Sequence, residues 1–297
     1  MSKPSAPAVQ AGARAQPAHM PAQHIAPTDS KADLALPPRF LAPDYQGSHK
    51  LRDRVALITG GDSGIGRAVA VLMVREGADI AVVYLQHHDD AQQTQAHVQA
   101  EGQRCLLLPG DVRDGAFCRA AVQRVLDQFG RLDVLVNNAA VQASAEDIEA
   151  LGEERWRHTF DTNALGYFLM TQAAVPHLKS GSAIVNTGSV AGLRGSGHLL
   201  DYAASKGAVH AFTKALAQSL IDKGIRVNAV APGPVWTPLN PADASAEQVA
   251  EFGRDTDMKR AAQPEEISPA YVFLASPAMS GYITGVVLPV TGSVDAI

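Results

Sequence analysis

A glycine-rich turn between a buried strand and a helix constrains the fold of this chain more than any other feature. An apolar run over residues 55–59 leads into TGGDSGIG, and the helical pattern of residues 66–76 follows at once. Gly60, Gly64 and Gly66 allow a tight turn and a close approach of the backbone to a ligand, while the helix start offers free N–H groups and the positive end of its dipole. Because strand, turn and helix occur in this order, the turn predicts a binding site for the pyrophosphate of a dinucleotide.

Short apolar runs alternate with longer helical patterns from residue 51 onward. Strands are predicted over residues 55–59, 80–84, 104–108, 134–136, 183–186, 226–230 and 286–290. Helices are predicted between them, among others over residues 66–76, 114–129, 153–177, 202–221 and 265–274. Several strands are apolar along most of their length, which is typical of parallel strands covered on both faces. The alternation therefore predicts an α/β fold with one Rossmann-type, doubly wound, mainly seven-stranded parallel sheet that has helices on both faces.

Composition divides the chain near residue 50. Residues 1–50 are rich in Ala, Pro, Gln and His and have no sustained apolar period, so they are predicted to form an N-terminal extension. Within it, composition favours a disordered tail over residues 1–30 and an arm docked on the body or on a neighbouring subunit over residues 31–50. Residues 51–297 are predicted to form one dinucleotide-binding domain, with the polar segment near 238–262 as a lid over the ligand.

Charge and composition argue against several other classes of protein. The formal net charge of −5 and the pI near 6.0 come without the basic stripe that is typical of nucleic-acid binding. The two cysteines, Cys105 and Cys118, suggest neither a disulfide framework nor a metal cluster, and the histidines lack ligand spacing, so no metal is expected. The sequence shows no apolar stretch of about 18 residues and no secretory signal, so we expect a cytoplasmic protein without a membrane partner.

The end of the second predicted strand bears on which dinucleotide binds. An acidic residue there would hold the ribose 2′-hydroxyl of NAD, whereas this chain has Tyr84. No Arg or Lys follows directly to bind the 2′-phosphate of NADP. His87 and His88, expected in a loop, are weak candidates for that contact, and Asp62 in the glycine-rich turn would repel the phosphate. The preference between NAD(H) and NADP(H) therefore stays open.

Tyr202 and Lys206 lie four residues apart in DYAASKGAVHAF and therefore on one face of a predicted helix. A tyrosine hydroxyl ordinarily has a pKa of about 10, and a neighbouring ammonium favours the phenolate, which suits a general acid or base. Ser189 follows the fifth predicted strand, at the edge where ligands collect in doubly wound folds. Its hydroxyl is placed to donate to a substrate oxygen while Tyr202 transfers a proton. A capping serine and a solvated lysine are the structural alternatives.

With these residues in place, residues 51–297 resemble the short-chain dehydrogenase/reductase family along their whole length. The resemblance rests on TGGDSGIG, Asp111-Val112, NNAA at 137–140, Asn163 in DTNALGYF, Ser189, the YAASK pentad, IRVNAVAPGPV and Thr237. More narrowly, GGDSGIGRAVA, HLLDYAASK and APGPVWTPL resemble a bacterial subgroup with an N-terminal extension, which includes aldehyde reductases and general-stress oxidoreductases. Three departures are Ala140 for the usual Gly, Gly188 for a common second Ser, and VTGS for an acidic-glycine turn near the C-terminus.

The resemblance implies an NAD(P)(H)-dependent oxidoreductase that transfers a hydride between NAD(H) or NADP(H) and a small carbonyl or alcohol substrate. Ser189 would polarise the carbonyl, and Tyr202 would donate or accept the proton. Lys206 would bind the ribose hydroxyls and lower the pKa of the tyrosine. Asn163 would hold a water in a proton relay to Lys206. The resemblance also implies a homotetramer.

The implied cofactor contacts extend over several loops. Asp111 and Val112 would contact the adenine, and Asn138 and Ala139 would line the cleft. The four residues that would bracket the nicotinamide are Pro232, Gly233, Val235 and Thr237. The remaining implied contacts are Gly60, Asp62, Ser63, Gly64, Ile65, Gly66, Tyr84, Tyr202 and Lys206.

Two alternatives to carbonyl reduction stay open. The chain could be a non-catalytic dinucleotide-binding protein that acts in stress or interaction through its N-terminal extension. The complete set of Asn163, Ser189, Tyr202 and Lys206 argues against this, because a binding module has no chemical use for all four. Related chemistry such as epimerisation or enoyl reduction is not decided by fold analogy. Candidates either for the substrate pocket or for simple packing are Leu193, Arg194, His198 and Trp236.

Overall fold

Seven parallel strands form a single sheet in this protein. They are β1 (Val55–Thr59), β2 (Asp79–Tyr84), β3 (Cys105–Pro109), β4 (Val134–Asn137), β5 (Ala183–Thr187), β6 (Arg226–Pro232) and β7 (Val287–Val290). Their order across the sheet is β3-β2-β1-β4-β5-β6-β7. The order reverses between β1 and β4, so the loops that follow these two strands diverge and leave a crevice at the carboxyl ends. The predicted doubly wound parallel sheet is confirmed.

The computed structural model describes residues 7–24, 34–240 and 245–294. Parts of the predicted N-terminal extension (1–6 and 25–33) and of the predicted lid (241–244) lie outside these ranges, as do residues 295–297. The helices in the described ranges are α1 (Gly64–Arg75), α2 (His88–Ala100), α3 (Gly115–Phe129), α4 (Glu153–Phe160), α5 (Gly166–Ala174), α6 (Ala191–Arg194), α7 (Leu200–Leu220), α8 (Ala246–Ala250), α9 (Pro264–Ala275) and α10 (Pro277–Ser280).

Helices cover both faces of the sheet because successive strand residues point to opposite sides. In β1, Ile58 belongs to the core cluster that includes Val69 of α1 and Ile267 of α9. Its neighbour Leu57 belongs to the second cluster, which includes Val122 of α3. Every residue of β1 is buried, as its unbroken apolar sequence predicts. The two apolar layers fix the sheet and hold its carboxyl edge in place.

Two helical regions differ from the sequence-based prediction. The single helix expected over residues 153–177 is divided into α4, a π-helical turn at Asp161–Leu165, α5 and a 3₁₀ turn at Val175–His177 that contains a proline. A π turn adds one residue to the repeat, and hydrophobic periodicity does not reveal such an insertion. His88 was expected in a loop but begins α2, whose residues are mostly polar, so the pattern gave little helical signal there.

The N-terminal arm, defined here as residues 7–24 and 34–50, lies against the domain. The buried carboxylate of Glu265 accepts hydrogen bonds from Arg14 Nη2 at 2.8 Å and Gln16 Nε2 at 2.9 Å. The buried carboxylate of Glu76 accepts from the backbone N–H groups of Ser48 and Lys50, both at 2.9 Å. Two carboxylates thus fasten the arm at separate points, including the part that composition alone favoured as a tail.

A small apolar cluster joins the arm to the segment that follows β6. Met20 and Leu34 of the arm pack with Trp236, Val249 and Ala261. The Trp236 side chain is 0% exposed, and its Nε1 donates to the carbonyl oxygen of Leu36 at 2.8 Å. Trp236, a candidate for the substrate pocket from sequence, is therefore part of the arm's docking surface.

Replacing Trp236 with phenylalanine should lower the free energy of unfolding by about 1–3 kcal/mol, because it removes buried apolar volume and leaves the Leu36 carbonyl without its donor. Trp156 is the matched control, since it lies on α4 and is 37% exposed. Trp156→Phe should change the free energy of unfolding by less than about 0.5 kcal/mol. Urea denaturation of the three proteins measures both values. Equal effects of the two substitutions would contradict the role given to Trp236.

Candidate active site

A cleft of about 420 Å³ lies at the carboxyl ends of the strands. The sequence-predicted site residues that line it are Gly60, Asp62, Ser63, Gly64, Ile65, Tyr84, Asp111, Val112, Asn138, Ala139, Tyr202, Lys206 and Thr237. The predicted residues outside this lining are Gly66, Asn163, Ser189, Pro232, Gly233 and Val235. The fold thus brings residues from six separate loops and helices to one cavity, as expected for a switch point between parallel strands.

The glycine-rich turn forms one end of the cleft. Gly60 and Gly64 have φ angles of +63° and +49°, a left-handed conformation that favours glycine. A β-carbon on Gly66 would lie 2.1 Å from the carbonyl oxygen of Gly60, so only glycine fits where α1 starts against the turn. The Ser63 side chain does not cap α1. The first-turn N–H groups of the helix therefore remain suited to an anionic ligand.

Arg67 fixes the shape of this turn from behind. Its guanidinium is buried and donates to the carbonyl oxygen of Asp62 through Nη2 at 2.7 Å and through Nε at 3.0 Å. It also forms an ion pair with Asp90 of α2, with a distance of 3.3 Å between Nη2 and Oδ1. Sequence reasoning missed Arg67, although its position directly after the last glycine of the turn was a usable signal.

Polar side chains surround the far end of the cleft, near the ends of β2 and β3. The hydroxyl of Tyr84 lies 2.5 Å from Nδ1 of His88, and burial together with the charge of Asp62 raises the pKa of Tyr84. Arg113 pairs with Asp111 at 2.6 Å and, by hydrogen bonding to it, lowers the pKa of that carboxyl. Arg113 lines the cleft and was not predicted. Its cation offsets the charge of Asp111 beside the site.

Lys206 reaches the cleft from α7 and is held at its tip by two oxygen atoms. Nζ donates to the carbonyl oxygen of Thr187 at 2.8 Å and to the hydroxyl of Tyr167 at 3.2 Å. It lies 5.6 Å from the ring centroid of Tyr202. The side chain is 0% exposed, and burial lowers its pKa to about 7. Tyr167 and Thr187, which sequence reasoning missed, thus set the position of the ammonium.

The pKa of Tyr202 departs from the expected direction. Burial raises it to about 12, and the hydrogen bond with Ser189 lowers it only in part. We expected the ammonium of Lys206 to bring this pKa below its ordinary value. The physical reason for the difference is that the amine is itself buried, which favours its neutral form, and donates to Thr187 and Tyr167. The tyrosine in this state is a protonated hydroxyl at neutral pH.

Ser189 lies two residues beyond the end of β5, next to Tyr202. Its hydroxyl oxygen accepts the backbone N–H of Ala191 at 3.1 Å. The residue is largely buried, with 8% exposure. A hydroxyl that accepts from the backbone keeps its own proton available for donation. Ser189 therefore presents a donor beside the tyrosine hydroxyl.

Asn163 lies inside the π-helical turn and bonds to both neighbouring elements. Its Oδ1 accepts the backbone N–H of Val141 at 2.8 Å, and its Nδ2 donates to the Val141 carbonyl at 2.9 Å. Nδ2 also donates to the hydroxyl of Ser205 on α7 at 3.1 Å. The side chain thus joins the segment after β4, which lines the cleft, to the helix that carries Tyr202 and Lys206. Single-turn π segments are frequent at functional sites.

Of the four residues that were predicted to bracket the nicotinamide, the segment after β6 contributes one, Thr237, to the lining of the cleft. Thr237 packs beside the glycine-rich turn, because a β-carbon on Gly64 would lie 3.2 Å from its Cγ2. Gly233 instead donates its N–H to Val290 of β7 at 3.0 Å, and Val235 forms a bridge with Ala262. Pro232 is the last residue of β6. These three hold the segment that presents Thr237.

No three His, Cys, Asp or Glu side chains in the described ranges are grouped as metal binding would require. None of the helices in the part of the chain that the structure describes combines the length and apolar character needed to cross a bilayer.

Comparison with known proteins identifies the relatives of this chain. A family model described as enoyl-(acyl carrier protein) reductase matches residues 60–294. General stress protein 39 of Bacillus subtilis (strain 168) is 50% identical over 262 residues, which cover 88% of this chain and 91% of that protein. NADPH-dependent aldehyde reductase 1, chloroplastic, of Arabidopsis thaliana is 48% identical over 261 residues, which cover 86% of this chain and 91% of that protein.

Solved structures agree with these matches. The crystal structure of a short chain dehydrogenase from Burkholderia cenocepacia J2315 in complex with NADP is similar to this chain with a TM-score of 0.77. The two sequences are 33% identical, and the match covers 82% of this chain and 98% of that one. Sequence and structure therefore identify the same group of proteins.

Proposed function

This chain belongs to the short-chain dehydrogenase/reductase family of NAD(P)-dependent oxidoreductases, and we propose that it interconverts a small aldehyde or ketone with the corresponding alcohol, using Tyr202 as the general acid or base. The observation that carries the proposal is the meeting of Ser189, Tyr202 and Lys206 beside a cleft that begins at a glycine-rich turn. The 48% identity to a protein named as an aldehyde reductase supports the carbonyl class.

The residues of the cleft fit a dinucleotide. The backbone at Gly60 and Gly66 approaches too closely for side chains, which leaves a concave surface for pyrophosphate at the start of α1. Tyr202 and Lys206 line the same cleft, so the nicotinamide and its ribose would lie beside them. We propose the full set of implied contacts as the cofactor site, with Arg113 added near the adenine. When bound, NAD(H) or NADP(H) supplies or accepts the hydride.

In the reductive direction, Tyr202 donates its hydroxyl proton to the carbonyl oxygen while the carbonyl carbon is reduced. The Tyr202 hydroxyl is protonated at neutral pH, so its proton is available for transfer, but burial raises its pKa to about 12 and makes it a weak acid, so the transfer needs a nearby cation that favours the phenolate. Ser189 donates a hydrogen bond to the same oxygen and stabilises the negative charge that develops on it. In the oxidative direction the same groups act in reverse, with Tyr202 as the base.

Lys206 is proposed to bind the ribose hydroxyls and to regulate the acidity of Tyr202. A negatively charged ligand in the cleft favours the ammonium form of the lysine and raises its pKa from about 7. An ammonium 5.6 Å from the Tyr202 ring then favours the phenolate that forms when the proton leaves. Asn163 is proposed to hold a water that carries a proton toward Lys206. Its bonds to Val141 and Ser205 fix it for that role.

Two structural proposals accompany this function. The predicted lid near 238–262 is supported by Pro238 and Leu239, which lie at the start of this segment and line the cleft.

Family resemblance supports a homotetramer, and analytical ultracentrifugation of the purified protein tests it.

Steady-state assays of the purified protein test the proposed function. NADH and NADPH oxidation should depend on an added aldehyde or ketone from a panel, and one of the two cofactors should be preferred. Cofactor fluorescence measures binding separately from turnover. Tight cofactor binding without turnover of any carbonyl would favour the non-catalytic alternative. Oxidation that occurs only with an α,β-unsaturated thioester would favour enoyl reduction.

A further inference from the structure

Helix α7 carries a third side chain on the stripe that presents Tyr202 and Lys206. His210 follows Lys206 by four residues, so it lies one turn further along the same face. Its ring is buried, with 6% exposure, and points to the backbone that follows β5. There Nε2 accepts the backbone N–H of Ser189 at 3.3 Å. Helix α7, which carries Tyr202, therefore also holds the backbone of Ser189 through the His210 ring.

Gly188 provides the space that this contact needs. A β-carbon at this position would lie 2.2 Å from His210 Nε2 and 2.7 Å from its Cδ2. Real β-carbons do not approach other atoms so closely, so no other residue fits at position 188 while His210 stays in place. Gly188 and the buried ring of His210 therefore depend on each other for this contact.

The charge state of His210 agrees with its acceptor role. Burial, together with the charges of Lys206 and Lys214, lowers its pKa to about 4 against a backbone hydrogen bond with Gly192 that raises it. The ring is thus neutral around pH 7, and a neutral imidazole has one nitrogen that can accept a hydrogen bond. Nε2 faces the Ser189 N–H and is assigned as that acceptor.

We infer that His210 is a positioning residue, which fixes the backbone of Ser189 against α7 and so aims the serine hydroxyl at the reacting oxygen. The inference rests on the proposed function for its catalytic part. The backbone N–H of Ser189 bonds to His210 on α7, whereas its carbonyl oxygen accepts the N–H of Gly192 at 3.0 Å and its hydroxyl oxygen accepts that of Ala191 at 3.1 Å. Without the bond to His210, the N–H of Ser189 loses its partner on α7, and the serine can shift relative to Tyr202. Small misplacements of a donor that stabilises developing charge reduce kcat more than they affect ground-state binding.

A pair of substitutions separates positioning from simple packing. His210→Leu keeps the volume but removes the acceptor, and His210→Gln places a side-chain oxygen near the former Nε2. His210→Leu should lower kcat roughly tenfold and leave the Kd for NADPH within about twofold, while His210→Gln should recover kcat to within about threefold of wild type. Wild-type kcat in His210→Leu, or equal losses in both variants, would overturn the inference.

A second experiment tests the contact without any turnover. Gly188→Ser should lower Tm by roughly 5 °C in the wild-type background, because the new β-carbon meets the imidazole. In the His210→Ala background the same substitution should lower Tm by less than half as much. Equal shifts in the two backgrounds would overturn the contact. If the wild-type protein reduces no carbonyl, the proposed function fails while this double-mutant cycle still decides the contact.

Discussion

Replacing Tyr202 with phenylalanine is expected to lower kcat by roughly 10²–10⁴-fold, the range associated with loss of a general acid or base. The substitution removes only the hydroxyl and keeps the ring that lies 5.6 Å from Lys206 Nζ, so the cleft should retain its shape. The Kd for NADPH or NADH should therefore stay within about twofold of wild type. Stopped-flow or steady-state kinetics and cofactor fluorescence measure the two quantities on the same protein.

Tyr282 provides the matched control, because it is fully exposed and lies outside the cleft lining. Tyr282→Phe should leave both kcat and cofactor affinity unchanged. Normal turnover by Tyr202→Phe would remove the tyrosine from the mechanism. Loss of cofactor binding in that variant would instead mean that the hydroxyl serves mainly to bind the ligand.

Replacing Lys206 with methionine is expected to lower kcat/KM by roughly 10²-fold or more and, at the same time, to stabilise the free protein at neutral pH. Lys206 is fully buried, and its pKa falls from an ordinary 10.5 to about 7. Between these values the unfolded chain binds more protons than the folded one, so native stability rises with pH across this window. Below about pH 7 the lysine is charged in both states, and the full penalty of burying an ammonium applies.

Methionine removes this penalty. The Tm of Lys206→Met should exceed that of wild type most at pH 6, and the gap should narrow as the pH approaches 10. Lys214, exposed on the outer side of the same helix, is the matched control, and Lys214→Met should show no such pH-dependent gain. Thermal unfolding of the cofactor-free proteins at pH 6, 8 and 9.5 measures the trend. A Tm below wild type by the same amount at every pH would show that the bonds to Thr187 and Tyr167 outweigh the burial of charge.

The sequence predicted the parts of this protein that depend on local pattern. The strands were found because they are short apolar runs, and the turn at Gly60–Gly66 was found because strand and helix flank it. Because the turn and the segments that follow the other strands lie at the carboxyl edge of a parallel sheet, the sequence also predicted that Tyr202 and the turn share one cleft. The rule that ligands bind at the carboxyl ends of parallel strands therefore predicted which distant residues come together.

Contacts between residues far apart in the chain could not be predicted in the same way. Gln16 and Glu265 are separated by 249 residues, and nothing in the polar segment around Gln16 indicates its partner. The contact of His210 with Gly188 likewise depends on how closely α7 approaches the end of β5. The direction of the Tyr202 pKa could not be predicted for a related reason, because the burial that raises it is a property of the folded chain rather than of a motif.

Transfer of an isotopic label from the cofactor to the alcohol shows whether a hydride moves in this cleft. The purified protein is incubated with an aldehyde from its active panel and with NADPH or NADH deuterated at C4, each of the two stereoisomers in turn, and the alcohol is analysed by mass spectrometry. We expect one deuterium on the carbinol carbon from one stereoisomer and none from the other, with negligible labelled alcohol from Tyr202→Phe. Alcohol formed without deuterium from either stereoisomer would contradict hydride transfer in this cleft.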